Sequence, residues 1–155
     1  MNGTDCKLYR QSGGSYGAPT WLEIEDIRDL QVNPTFTEGD AKTRGSIVDL
    51  AEPTRMQIEI TGSIRVSVGN VDFVALDDAF CTRAALDIMA LNGGSTTNGV
   101  RGWRAYYKVF SFTEDQSIDG VLYRNFTLKP CIPSDGNYPK RCVVAGGVPT
   151  FSDPG

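Results

Sequence analysis

The segment Gly13–Gly17, GGSYG, matches the G-x-S-x-G pattern of a nucleophile elbow. An elbow needs a strand before it, a helix after it and a histidine base. The chain has no histidine, and more loop-forming residues follow the serine, so the match reads as a Gly/Ser turn. A second constellation is acidic: Glu23, Glu25, Asp26 and Asp29 fall within WLEIEDIRD, residues 21–29. Paired carboxylates can serve as general acid and base. The same residues also suit a solvated polar strand face, and no other pattern marks a substrate pocket. Cysteines stand at 6, 81, 131 and 142, none with C-x-x-C spacing. A zinc site would need an unusual all-thiolate set; small buried hydrophobes or reduced thiols fit better. Cys131 and Cys142 share the C-terminal segment and could pair if oxidised. The sequons Asn2-Gly3-Thr4 and Asn125-Phe126-Thr127 carry no meaning without a secretory signal, and MNGTDCKLYR lacks the apolar core of one. A cytosolic product is therefore expected. No phosphate-cradling G-x-x-x-x-G-K-[ST] occurs, and no cofactor is expected.

The third constellation is EGDAKTRGS, residues 38–46. Glu38, Asp40, Lys42 and Arg44 supply the charge, and Gly39 and Gly45 allow bending. The run is longer than a turn between strands needs. Pro34 and Pro53 bracket it, and each discourages regular pairing where it stands. Ile47, Val48 and Leu50 follow the charges. Such a segment is either idle solvated surface or the part that touches a partner.

Positioning these groups falls to a β framework. The chain has 155 residues and 40% hydrophobic content, enough for one domain with its own core. The formal net charge of −4 argues against tight phosphate binding, which concentrates Lys and Arg. No apolar run approaches the length of a membrane span. RMQIEITGSIRVSV, residues 55–68, alternates strictly: Met56, Ile58, Ile60, Ile64, Val66 and Val68 on one face, polar residues on the other. That is the pattern of a half-buried antiparallel strand, with Gly62 marking a bend or bulge. Further strands are expected over 7–11, 21–25, 29–33, 85–91, 103–113 and 121–129, the last after an Asp119-Gly120 turn. One helix is expected over 70–84, capped by Asn70 or Asp72. Its core-facing stripe is Phe73, Leu76, Phe80 and Ala84, with Val74 and Cys81 beside it. Residues 131–155 are rich in Pro and Gly with little periodicity, so order there is expected to come from contact with neighbouring copies.

Taken in order, these pieces resemble the major tail tube protein of long-tailed, siphovirus-type bacteriophages. KLYR leads through a Gly/Ser/Pro turn to a Trp-led strand, an acidic kink and DLQVN; a polar loop ends in TRGS; a long alternating strand, one helix and a strand ending in TLKP follow. The resemblance covers about residues 5–130 and leaves 131–155 as an extension packing on neighbouring subunits. It implies a mainly β fold, an antiparallel β-sandwich or barrel with one flanking α-helix and a long inter-strand loop. It also implies a structural, non-enzymatic role: rings, usually hexameric, stacked into a tube of the virion tail and assembled in the host cytoplasm. The implied partners are further copies, the tape-measure protein, and the terminator and baseplate or tail-tip proteins, with genomic DNA passing through the lumen without tight binding. In that frame Glu38, Asp40, Lys42, Arg44, Ile47, Val48 and Leu50 form an inter-ring loop, and Glu23, Glu25, Asp26 and Asp29 are candidates for a negative lumen wall. The inner tube of a contractile tail or secretion machine, or a tail terminator, shares the fold. A monomeric ligand- or carbohydrate-binding β-sandwich would instead use Trp21, Trp103, Tyr106 and Tyr107.

Overall fold

A computed structural model describes residues 6–40, 51–116 and 122–153. The strands are β1 (Lys7–Ser15), β2 (Ala18–Glu23), β3 (Ile27–Asp40), β4 (Ala51–Arg65), β5 (Leu86–Leu91), β6 (Arg101–Gln116), β7 (Leu122–Pro130), β8 (Lys140–Ala145) and β9 (Val148–Ser152); helix α1 (Val71–Thr82) separates β4 from β5. All pairings are antiparallel, in the order β2-β1-β5-β6-β7-β4-β3, with β8 joined to β6 and β9 to β8. The fold is the mainly β, one-helix architecture expected from the sequence.

Two apolar cores lie on opposite faces. The larger unites Leu8, Ile88 and Tyr107 with Ile60, Ile64, Phe126 and Leu128. Residues from both ends of the strand order meet there, so the sheet curls around it. Alternation in β4 delivers Ile58, Ile60 and Ile64 to this face. Val66 and Val68, which continue the alternation in sequence, lie beyond the end of β4, and Val68 is 97% exposed. Gly62 keeps Phe126 close: a Cβ there would stand 3.0 Å from the ring's tip. The smaller core holds Tyr9, Met89, Leu91, Cys142 and Val144. Strand β5 serves both, Ile88 and Ala90 facing one and Met89 and Leu91 the other, which is why LDIMAL reads as a continuous apolar run.

The C-terminal segment corrects its expectation of irregularity. Residues 140–152 form the β8–β9 hairpin around Gly146 and Gly147, both at positive φ, the backbone that two-residue hairpin turns demand. β8 pairs with Arg101–Arg104 of the same chain, the stretch of β6 that β7 does not reach, and its Cys142 and Val144 close the second core. Residues 140–152 are therefore paired within their own chain's sheet. Gly102 sits at the join, where an added Cβ would fall 1.8 Å from the Ala90 carbonyl oxygen. The cysteines are free. Cys142 lies against Met89 and Cys131 contacts the Tyr106 carbonyl, so the two do not pair.

Helix α1 is capped by Asn70, whose side chain accepts from the amides of Asp72 and Phe73. Leu76 and Ala79 are its buried residues, and Phe73 and Phe80 meet Phe112 of β6. Asp72 accepts from Arg10 at 2.9 Å and Asp77 from Arg124 at 2.7 Å, tying the helix to β1 and β7. The expected stripe is narrower than the sequence suggested: Val74, Phe80 and Cys81 are exposed and Ala84 lies past the helix end.

Candidate functional site

Strands β3 and β4 form a two-stranded arm. β4 pairs with β7 only from Ile60 to Arg65, whereas its pairing with β3 continues to Ala51 opposite Asp40. Among the described residues, the outer part of the arm has no third strand. Here the expectation for the prolines fails: Pro34 stands opposite Ile58 and Pro53 opposite Glu38, both inside the ladder. The reason is local. β3 ends the strand order and β4 is flanked on one side there, so a missing N–H on the open side breaks no bond. Of the expected loop residues, Glu38 and Asp40 lie on β3, while Lys42, Arg44, Ile47, Val48 and Leu50 lie outside the described residues. Phe36, 56% exposed, pairs with Met56 on the arm.

The arm fixes the polarity of the curled sheet. β4 and β6 run in one direction, both antiparallel to β7. The arm, the start of β6 at Arg101 and the end of β5 at Leu91 therefore share one end. Helix α1, which follows the last residues of β4, lies at the other. Each end carries unpartnered apolar surface. At the arm end a cleft of about 310 Å³ is lined by Val32 and Pro34 of β3, Leu91 of β5 and Trp103 of β6, among others. At the helix end Val68, Val71 and Val74 are 97%, 68% and 41% exposed.

A third surface lies over the second core. Arg104, 2% exposed, is held by Asp87 through Nε at 3.1 Å and Nη2 at 2.7 Å, and Nη2 also donates to the Tyr16 carbonyl at 3.1 Å. The rings of Tyr16, Trp21 and Phe151 face the guanidinium at 3.7, 4.8 and 4.7 Å. Tyr16 stacks on Tyr106, whose hydroxyl donates to Asp135 at 2.6 Å. Desolvation and that hydrogen bond push the Tyr106 phenol well above its usual range, and Tyr106 in turn holds the Asp135 carboxyl below its own. The Arg104 and Asp87 charges match one another within the chain, so the group acts as a clamp joining β1–β2, β6 and the β8–β9 hairpin. The sequence reading missed it. Its one sign is Arg104 within the aromatic run WRAYY.

The acidic constellation does not converge. Glu23 is partly buried and stands 3.5 Å from Lys7. Glu25 and Asp26 sit on the corner between β2 and β3, and the Asp26 carboxylate accepts from Asn70. Asp29 is 81% exposed at a register shift of β3, with φ of 55°. The four aromatic candidates for a ligand site also separate: Tyr107 is sealed in the main core, Trp103 lines the arm-end cleft, and Trp21 and Tyr106 belong to the Arg104 clamp.

The architecture is that of a curled antiparallel sheet with one helix and a projecting two-stranded arm. No family model matches the chain, and no curated protein does. Solved structures do. The chain is similar to the SPP1 tail tube (TM-score 0.66, 10% identity, covering 99% of this chain and 80% of that one). It is also similar to a chain of a gene transfer agent tail refined with C6 symmetry (0.64, 13%, 86% and 96%), and to one of the anti-feeding prophage baseplate (0.53, 11%, 80% and 87%). At these identities the likeness is one of fold.

Proposed function

We propose that this protein is a structural subunit of a phage-type tail tube, forming rings that stack into the conduit for DNA delivery. The observation that carries this reading is the fold likeness to tail-tube chains together with the arm that leaves the sheet at one end. A strand pair with open outer edges is a liability in a monomer and an asset in a subunit whose neighbours complete it. The C6 symmetry of the gene transfer agent tail supports six copies per ring, and the sequence resemblance supports a siphovirus-type flexible tail. The residues that follow Asp40, with Ile47, Val48 and Leu50, reach the adjacent ring. The outward side of the β8–β9 hairpin, where Val148 is exposed, touches a neighbouring subunit. The net charge of −4 suits a conduit through which a polyanion must slide without being held. The tape-measure, terminator and tail-tip proteins are the further partners this role requires, and the virion tail is its place. No catalytic step belongs to it.

The likeness to a baseplate chain favours, as a second reading, a ring component of a contractile apparatus. Light scattering with negative-stain imaging of the purified protein is the test. Rings or tubes of uniform width support the proposal. A monomer at every concentration refutes it. Tubes that bind a sheath-type protein along their length favour the second reading.

A further inference from the structure

The two ends of the subunit carry complementary surfaces. At the helix end, Val71, Val74 and Asp78 share one face of α1 by their spacing, and Val68 stands just before it. The valines are exposed to 97%, 68% and 41% in chain order, and Asp78 is exposed and makes no ion pair among the described residues. Exposed apolar residues grouped in this way mark an interaction site more often than valines scattered singly. Nothing in the core explains them, because the side of α1 that faces the sheet is already supplied by Phe73, Leu76 and Ala79. At the arm end, the cleft of about 310 Å³ offers Val32, Pro34 and Trp103, with Arg101 at its edge. Arg101 is exposed, and its guanidinium has no carboxylate partner among the described residues.

We infer that the valine-bearing face of α1 seats in the arm-end cleft of a second copy, with Asp78 of one subunit facing Arg101 of the next. This rests on the tube reading and names the axial contact within it. Three observations select a second copy as the occupant. Both surfaces expose apolar groups, the valines at one end and Pro34 with part of Trp103 at the other. Among the described residues, Asp78 at one end and Arg101 at the other are charges of opposite sign without an ion-pair partner. They lie at opposite ends of the same strands, so the contact is head-to-tail and repeats without limit, as a stack of rings requires. The apolar contact holds the rings together, and the charge pair sets the rotation of one ring on the next.

Two measurements on the full chain test it. In the first, Asp78→Arg and Arg101→Glu are made singly and together. Each reversal alone should raise the concentration needed for tube growth about tenfold without moving the unfolding temperature, and the pair together should recover most of the loss. Valine replacement, Val71→Asp with Val74→Asp, should stop growth at single rings. In the second, Val71→Cys is combined with Pro34→Cys in a Cys6→Ser, Cys81→Ser background, because Cys6 lines the same cleft, and assembled tubes are oxidised. A ladder of cross-linked chains that runs along the tube is expected. Tubes that grow normally in the valine variant, or that give no such ladder, overturn this contact and leave the tube reading standing. A wild-type protein that never passes the monomer overturns both.

Discussion

Removing one carboxylate tests how the second core is held. In Asp87→Ala the Arg104 guanidinium stays 2% exposed and loses the partner of two of its hydrogen bonds. Leaving a buried charge unmatched costs about 3–5 kcal/mol. The Tyr16, Trp21 and Phe151 rings remain, and cation–π contacts offset only part of this. For a domain of this size each kcal/mol moves the midpoint by roughly 2–4 °C, so Tm should fall by about 6–20 °C. The companion variant replaces both charges, Asp87→Leu with Arg104→Met. It leaves no unmatched charge, and it should lie within about 1–2 kcal/mol of the wild type or above it. The assay is thermal unfolding followed by circular dichroism, at one protein concentration below assembly, since oligomers raise apparent stability by mass action. If the double variant is as unstable as the single one, the cost was lost packing or lost hydrogen-bond geometry, and the reasoning from an unmatched charge is refuted.

Gly102→Ala should prevent correct β5–β6 pairing, because its Cβ would overlap the Ala90 carbonyl; loss of near-ultraviolet dichroism at 25 °C reports it, and a native spectrum contradicts it. Ile47→Ser with Leu50→Ser should leave the domain folded and abolish polymerisation, since each apolar residue contributes roughly 1.5–3 kcal/mol when fully covered; raising the salt concentration should weaken assembly less, and tubes of normal length would refute the assignment. Burial raises the phenol of Tyr107, and desolvation with the Asp135 hydrogen bond raises that of Tyr106, above the ordinary value of 10.0. The unfolded chain ionises first, so this stability is complete below about pH 10 and is lost as pH rises above it; phenolate absorbance for these two should appear only with alkaline unfolding, and a titration near 10 in the folded protein would contradict it.

Much of the framework was legible because it is periodic. Ile58, Ile60 and Ile64 announce the core face of β4, and the Asn70 cap and Leu76 announce α1. What failed did so for stated reasons. Val66 still donates its amide to Leu122 of β7, but Val68 extends the pattern past the last strand partner, and pattern alone does not say where pairing stops. Pro34 and Pro53 read as breakers in the sequence because nothing there reveals that each strand has an open side at that point. The β8–β9 hairpin hid behind four prolines, although Gly146-Gly147 between CVV and VPTF is a turn signal that could have been used. The Asp87–Arg104 pair could not be read, since nothing in the order of residues states which charged side chains fold onto the same buried point. The charges of EGDAKTRGS read as a contact segment; Glu38 and Asp40 lie on β3, and residues 41–46 lie outside those described.

The sharing of one β6 edge by β7 and then β8 sets a timetable for synthesis. Proteins emerge from the ribosome N-terminus first, at about 5–20 residues per second. β6 and β7 leave the ribosome ahead of Lys140–Ser152 and can complete the larger core first, and Arg101–Arg104 then waits about 1–4 s for its last strand. During that interval Met89 and Leu91 are uncovered on one side, next to an unpaired strand edge. In a cell filling with nascent copies of the same chain, that edge can recruit a neighbour's β8–β9 hairpin before its own is made. Swapped dimers are the expected by-product of fast expression, and slower translation over residues 131–139 would be costlier than the same delay after residue 152.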